Sequence, residues 1–196
     1  MMRRRAARDT PSTSVPAKPG DGWAQLRPLT KCDEVPEWYA QYACRFVTGG
    51  YRRCDVRSAR ACAHSVFGWH NETLNIWTHA APAVICLGLA VWSAVSAPPS
   101  ERGCVALFAC SALGYAASAT FHTLNCHSRA VARAAVRADM VGISSRSAAR
   151  TTVTSYWDNI CDLFGPFPPP PKCRVLWHIY LFLANIWPNV VKFMRL

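Results

Sequence analysis

Two apolar stretches decide the fold of this chain: IWTHAAPAVICLGLAVWSAV at Ile76–Val95 and CVALFACSALGYAASATF at Cys104–Phe121. Neither contains Asp, Glu, Lys or Arg, and each is about as long as the roughly 17–25 residues that a helix needs to cross a bilayer. A core helix of a soluble protein would carry a polar stripe at helical period, which both stretches lack. They predict two transmembrane helices in an all-α, multi-pass membrane protein. The alternative is a buried helical hairpin in a soluble protein.

The positive charge of the chain indicates membrane topology rather than nucleic-acid binding. The net charge is +11, yet the sequence has no C2H2 zinc finger, RNA-binding aromatic box or P-loop. Before Ile76, Lys and Arg number 12 and Asp and Glu number 7, whereas the connection between the two stretches contains one basic residue. Three more arginines follow the second stretch, at Arg129–Arg137. By the positive-inside rule, the N-terminus and Arg129–Arg137 are expected in the cytoplasm.

The rest of the chain is less typical of a membrane protein. A third span would fall at Met140–Phe164, which contains four charged residues that each cost about 2.5–3.5 kcal/mol at mid-bilayer, so insertion of this segment alone is disfavoured. A later apolar run, Val175–Val191, contains His178 and two asparagines and predicts a weaker span. The ten cysteines form no CxxC pair, disulfide framework or zinc ribbon, so no redox state follows from them.

Changes in composition divide the chain into five segments. In the second segment, Gly49–Arg52 is typical of a turn and Ser58–Trp69 of a short helix at the membrane interface. The five segments are a disordered basic tail at residues 1–30, an amphipathic cytoplasmic segment at 31–75, a transmembrane hairpin with the start of a third span at 76–144, a degenerate span with a proline-rich connector at 145–174, and a last span at 175–196.

Polar residues at the start of the first span have local structural interpretations. Asn71 and Thr73 are predicted to cap the helix, because lipid cannot satisfy the first helical amides. Trp77 is typical of an anchor at the membrane interface. His79 lies one turn inside the span, and a hydrogen-bonded helix contact is the preferred interpretation over a functional role.

Three polar motifs flank the two apolar stretches. His70–His79 reads HNETLNIWTH, Ser118–Ser128 reads SATFHTLNCHS, and Asp139–Ile143 reads DMVGI. Together with Gly50–Arg52, they resemble the motifs of the progestin and adipoQ receptor family, which includes the adiponectin receptors and the haemolysin III proteins. The resemblance covers residues 33–144. It implies a bundle of seven spans, of which this chain has room for four at most, so an incomplete version of that bundle is expected.

The resemblance also implies zinc as a cofactor. In the family, the histidine at the position of His122 ligates zinc, and the residues at Ser118 and Asp139 hold the zinc-bound water, which ceramidase-like members use to hydrolyse lipid amides. By the same resemblance, His122 is the expected metal ligand and Ser118 and Asp139 are the expected catalytic residues. From the residues alone, Ser118 and His122 share one helical face because they stand four apart. A single histidine near a membrane boundary is also typical of an interfacial residue.

The sequence departs from the family at the remaining zinc ligands. The family takes two of them from a His-x-x-x-His near its C-terminus, whereas the six histidines of this chain include no pair four residues apart. A catalytic zinc site needs three protein ligands and a water. The site is therefore expected to be incomplete in one chain, and the single chain is not expected to be an enzyme. A truncated or altered family member, a gene-model fragment and a pseudogene product all fit this pattern.

Several functions remain open. The first is a receptor-like membrane protein in lipid or hormone signalling, with a lipid or hormone as its ligand. The second is a zinc-dependent membrane hydrolase of lipid amides that takes its missing ligands from a partner chain. The third is a basic protein that binds anionic lipid through its arginines, and the fourth is a non-functional fragment. In all of them the lipid bilayer is the main partner, nucleic acid is not one, and homo-oligomer formation and the host membrane are left open.

Overall fold

The computed structural model describes residues 22–42, 46–96 and 103–164, with the backbone alone for 152–164. These residues form an N-terminal subdomain, defined as residues 22–42 and 46–72, followed by three long helices. The predicted span at 175–191 and the proline-rich connector lie outside the described residues, as do residues 1–21 of the predicted tail.

The N-terminal subdomain consists of short elements around one small core. Leu26, Tyr39, Tyr51, Ala61 and Cys62 are buried there, and Cys126 joins them from beyond the second long helix. The core therefore attaches the subdomain to the end of that helix. Its elements are two 3-10 helices, Gly22–Leu26 and Cys32–Glu34, the strands β1, Thr30–Lys31, and β2, Gly49–Tyr51, and the helices α1, Glu37–Ala40, and α2, Ala59–Ser65.

Two predictions for this region are wrong in detail. Residues 22–26 of the predicted disordered tail form a 3-10 helix, because Leu26 finds an apolar core to bury itself in. The predicted turn at Gly49–Arg52 is instead strand β2, which pairs antiparallel with β1. Gly50 has φ +84°, a conformation that favours glycine, and its carbonyl accepts a hydrogen bond of 2.8 Å from the Asn71 amide.

A short helix was predicted within Ser58–Trp69, and α2 lies inside that range. Ser58 caps this helix, because its hydroxyl accepts from the Ala61 amide at 3.2 Å. Phe67 and Trp69 are largely exposed just beyond α2. Their exposure beside the first span fits the predicted position at a membrane interface.

The two predicted spans are present as helices. Helix α3 is Thr73–Ser96 and helix α4 is Gly103–Leu124, and both are long and apolar enough to cross a membrane. Val84, Val95 and Leu113 are exposed on their outer surfaces, as expected of side chains that face lipid. Between the helices, buried apolar side chains form two small clusters: Cys86, Ala112 and Tyr115, and Ala90, Leu107 and Phe108.

Helix α5, Arg129–Phe164, is continuous through the segment where the third span was doubtful. Ser128 caps it, since its hydroxyl accepts from the Val131 amide at 3.4 Å. Within the described residues, only α3 and α4 combine the length and apolar composition of a span. Arg146 lies over the Tyr115 ring, 4.6 Å from its centroid, so this charge contacts α4. Whether α5 crosses the bilayer stays a prediction.

The orientation of the hairpin is also a prediction, and it has a direct test. We expect the N-terminal tail and the start of α5 in the cytoplasm, because these segments carry the positive charge. Glycosylation acceptor sequences placed at Ser14 and at Ser100 should differ in a microsomal insertion assay, with modification at position 100 alone. Modification at position 14 alone would show that the hairpin inserts in the opposite orientation.

Candidate functional site: a buried polar network at the entry to the membrane helices

Glu72 is the centre of a polar cluster where the N-terminal subdomain meets α3 and α4. Its side chain is only 4% exposed. It accepts hydrogen bonds from Asn75 Nδ2 at 2.7 Å, from Asn125 Nδ2 at 3.0 Å and from His122 Nδ1 at 2.8 Å. Burial alone raises the pKa of Glu72, but the hydrogen bond and charge of His122 and the other donors outweigh it and hold this pKa below its usual value. The carboxylate is therefore ionised at neutral pH.

Arg52 provides the opposite charge in the same cluster. It is fully buried and donates to four acceptors, which belong to α2, to the end of α4 and to the residue that follows α4. Two of these acceptors are carbonyls of the last turn of α4, which no helical amide satisfies. A cation at this end also opposes the helix dipole. The four acceptors are Ser65 Oγ at 2.8 Å, Thr123 O at 2.9 Å, His122 O at 2.7 Å and Asn125 Oδ1 at 2.9 Å.

Arg52, Glu72, His122 and Asn125 form a closed polar network. Arg52 donates to Asn125 Oδ1, Asn125 donates to Glu72, Glu72 accepts from the His122 ring, and the His122 carbonyl accepts from Arg52. Each member is fixed by two others, so the ring of His122 has a defined orientation. Because Glu72 only accepts, Nδ1 of His122 carries the proton and Nε2 is left as the metal-binding nitrogen.

The predicted caps of α3 have other roles. Thr73 Oγ1 accepts from the His70 amide at 2.9 Å and donates to Gly68 O at 2.7 Å, so it closes the turn before the helix. His70 Nδ1 accepts from the Glu72 amide at 3.1 Å. Burial, followed by the nearby Arg52 charge, lowers the pKa of His70 to about 4, so this ring stays neutral and able to accept. The Asn71 side chain instead lies 3.4 Å from Glu72 Oε1.

The other imidazole near His122 belongs to His79. The two rings are stacked with centroids 5.3 Å apart and planes at 28°. Nδ1 of His79 donates to Asn75 O of the same helix at 2.6 Å. His79 is thus held by its own helix and packed against α4 through His122, which agrees with the predicted helix contact.

The two predicted catalytic residues are both buried. Ser118 lies on α4 one turn before His122, and Asp139 lies on α5. His79 interacts electrostatically with both His122 and Asp139, which places the three side chains in one region. Asp139 Oδ1 is buried and makes no hydrogen bond within the described part of the chain. A buried acceptor without a donor is a position where a missing cation or donor group would be stabilised.

The described residues fit a zinc site only in part. His122 would offer Nε2, and its bond to Glu72 is the carboxylate contact that commonly orients metal-binding histidines. Among residues 22–42, 46–96 and 103–164, however, no three His, Cys, Asp or Glu side chains are grouped so that they could hold a metal ion. A catalytic zinc needs three protein ligands, so these residues do not complete the site and zinc stays a prediction.

Sequence reasoning missed most of the polar network. Arg52 was counted only as one of many basic residues, and Asn125 was given no role. Glu72 was interpreted as a polar residue that precedes a span. The available signal was their position inside the motifs at 50–52, 70–79 and 118–128, whose polar members are too many for helix capping alone.

An apolar helical hairpin with a buried polar network at its entry defines a multi-pass helical membrane protein. The chain belongs to the haemolysin-III related family, whose model matches residues 67–188. The predicted resemblance is therefore confirmed, and the soluble hairpin is excluded as an alternative.

Individual relatives agree with this family. The chain is 34% identical to the adiponectin receptor protein of Drosophila melanogaster over 118 residues, which are 56% of this chain and 25% of that protein. It is 33% identical over 122 residues to progestin and adipoQ receptor-like protein 1 of Caenorhabditis elegans, covering 59% of this chain and 27% of the relative. For heptahelical transmembrane protein 3 of Arabidopsis thaliana, identity is 36% over 100 residues, with 48% and 27% covered. The chain thus spans about a quarter of the length of these relatives.

Proposed function

We propose that this chain is a receptor-like membrane protein in lipid or hormone signalling and that the single chain is not a catalyst. The observation that supports this proposal is the network of Arg52, Glu72, His122 and Asn125. It joins the N-terminal subdomain to the ends of both spans through buried, directional hydrogen bonds. A ligand that shifts α4 relative to α3 changes these distances, and the subdomain must then move with the helix ends.

The names of the relatives suggest the ligands to test first. Radiolabelled progestin and labelled adiponectin should be added to the purified chain in lipid nanodiscs, with empty nanodiscs as the blank. We expect saturable binding of at least one of them. We also expect weaker binding to Glu72→Gln, which keeps the size of the side chain but loses its charge. If the folded native chain binds neither ligand above the blank, the receptor proposal is wrong.

Two observations support a second function, a zinc-dependent hydrolase that takes further ligands from another chain. The first is the Glu72–His122 contact of 2.8 Å, which leaves Nε2 of His122 for a metal. The second is the buried Asp139 Oδ1 without a hydrogen-bond donor. Zinc content distinguishes this function from the receptor.

We expect the purified single chain to lose its zinc on brief chelation and to leave ceramide-like amides intact. His122 supplies one ligand and Asp139 at most a second, which is below the three that retain a catalytic zinc. Zinc per chain should be measured by mass spectrometry after chelation in detergent, for the native chain, His122→Ala and, as the control, His127→Ala. A stoichiometric zinc that persists in the native chain and in His127→Ala but is lost in His122→Ala would favour the hydrolase.

A further inference from the structure

Two buried thiols face each other in the core of the N-terminal subdomain. Cys62 lies on α2 and Cys126 lies two residues after α4, and their Sγ atoms are 3.6 Å apart. The side chains are 0% and 1% exposed, respectively. Although 64 residues separate them in the sequence, the packing of α2 on the end of α4 brings the sulfurs into contact.

The surroundings of this pair favour a thiolate on Cys126. The hydrogen bond from the Cys62 thiol and the nearby charge of Arg52 lower the pKa of Cys126 to about 7, although burial acts against them. The same hydrogen bond and burial raise the pKa of Cys62. One sulfur is therefore a nucleophile near neutral pH, and the other is the thiol that can react with it next.

Other cysteines lack this combination. Cys54 packs against the same core, but burial and its acidic neighbours raise its pKa to about 11. Cys86 is buried inside α3 among the apolar side chains of the hairpin. These two residues provide matched controls, one in the same core and one in the membrane helices.

We propose that Cys62 and Cys126 are a redox modification site, at which a peroxide joins α2 to the end of α4 through a disulfide bond. This inference is independent of the receptor proposal. In the first step the Cys126 thiolate attacks one oxygen of hydrogen peroxide, which breaks the O–O bond and gives a sulfenic acid and hydroxide. The hydroxide takes up the proton that the Cys126 thiol released and becomes water.

In the second step the Cys62 sulfur attacks the Cys126 sulfur and displaces the hydroxyl group. The hydroxide leaves as water with the proton of Cys62. Two thiols and one peroxide thus give one disulfide and two waters, and the sulfurs supply both electrons. Because both sulfurs are buried, the peroxide reaches them only when the small subdomain opens locally.

The geometry requires little movement. A disulfide has an S–S length of about 2.05 Å, so the two sulfurs need to approach each other by about 1.5 Å from their separation of 3.6 Å. Both cysteines are also connected to the polar network. Ser65, whose hydroxyl donates to the Cys62 carbonyl at 2.7 Å, and Asn125, which precedes Cys126, are both hydrogen-bond acceptors of Arg52. The disulfide would fix these acceptors on either side of Arg52.

The test uses the full chain purified in detergent. The protein is treated with hydrogen peroxide, denatured, alkylated with N-ethylmaleimide and mapped by mass spectrometry. We expect one crosslink, between the peptides that contain Cys62 and Cys126, with the loss of two hydrogen atoms. Dithiothreitol should reverse it, and the oxidised chain should unfold at a higher temperature than the reduced chain.

Substitutions distinguish this pair from general oxidation. Cys62→Ser and Cys126→Ser should each abolish the crosslink, whereas Cys54→Ser and Cys86→Ser should retain it. Since the decisive map comes from the native chain, misfolding of a variant does not affect the result. Recovery of Cys62 and Cys126 as two alkylated thiols after peroxide treatment, or a crosslink of either one to another cysteine, would overturn the proposal.

Discussion

Replacing Arg52 with Met should lower the free energy of unfolding by about 3–5 kcal/mol, the usual cost of removing one partner from a buried charged network. Methionine fills much of the same space but donates no hydrogen bond. Two carbonyls at the end of α4 and the side chain of Asn125 would then lack their donor. Glu72 would keep its negative charge in a buried site with less compensation.

The neighbouring arginine is a matched control. Arg53 contacts Asp55 through an exposed ion pair, with 3.0 Å between Arg53 Nε and Asp55 Oδ1. Exposed pairs contribute less than about 1 kcal/mol, so Arg53→Met should unfold almost as the native chain does. Arg52→Lys should lie between the two, because one ammonium group cannot reproduce the fork of guanidinium donors.

Thermal unfolding of the detergent-solubilised chain, followed by tryptophan fluorescence, measures these differences. The expected order of stability is native, Arg53→Met, Arg52→Lys, Arg52→Met. Equal melting temperatures for Arg52→Met and Arg53→Met would show that the polar network does not hold the N-terminal subdomain against the membrane helices.

The membrane helices could be predicted from sequence because their signal is local. Twenty residues without a charge, as in Ile76–Val95, are compatible with few structures whatever surrounds them. The helix that forms, Thr73–Ser96, differs from the prediction by a few residues at each end. The same argument accounts for α4, whose predicted and observed ends also differ by a few residues.

The polar network could not be predicted in the same way because it depends on tertiary structure. Arg52 and Asn125 are 73 residues apart and have no shared periodicity. They meet only because the core around Tyr39 and Tyr51 places β2 against the end of α4. Strand β2 itself is three residues long and is defined by its pairing with β1, so its own composition predicts a turn more strongly than a strand.

The candidate metal site was predictable only through its resemblance to a family. His122 and Ser118 share a face because of helical geometry, which the sequence contains. Their relation to Asp139 depends on how α5 packs on α4, and charges in α5 argued against its being an ordinary span. That packing is made at one pair of glycines, which predicts the second large effect.

Helices α4 and α5 cross at Gly114 and Gly142 with their backbones in contact. A Cβ atom added at Gly142 would lie 2.7 Å from the Cα of Gly114, and one added at Gly114 would lie 2.9 Å from the carbonyl oxygen of Gly142. Contacts this short with backbone atoms cannot be relieved by rotating a side chain. Small residues allow such close packing between membrane helices, where van der Waals contact is a main source of stability.

Gly142→Val should therefore lower the free energy of unfolding by about 2–3 kcal/mol, as overpacked sites do, with a smaller loss for Gly142→Ala. The side chain would force α5 away from α4. Asp139, one turn before Gly142, would then move away from the region of His122 and Ser118. Gly88→Val is the control, because a Cβ at Gly88 on α3 meets nothing within 4 Å.

Both variants add the same side chain to a glycine within a long helix, so their helix propensities change alike and only the packing differs. Thermal unfolding in detergent should give a clearly lower melting temperature for Gly142→Val and almost no change for Gly88→Val. Hydrogen exchange of the α4 and α5 amides should become faster in Gly142→Val, as expected if the helices separate. Equal melting temperatures and equal exchange for the two variants would mean that α4 and α5 do not cross at these glycines, and Asp139 would then have no fixed position relative to His122.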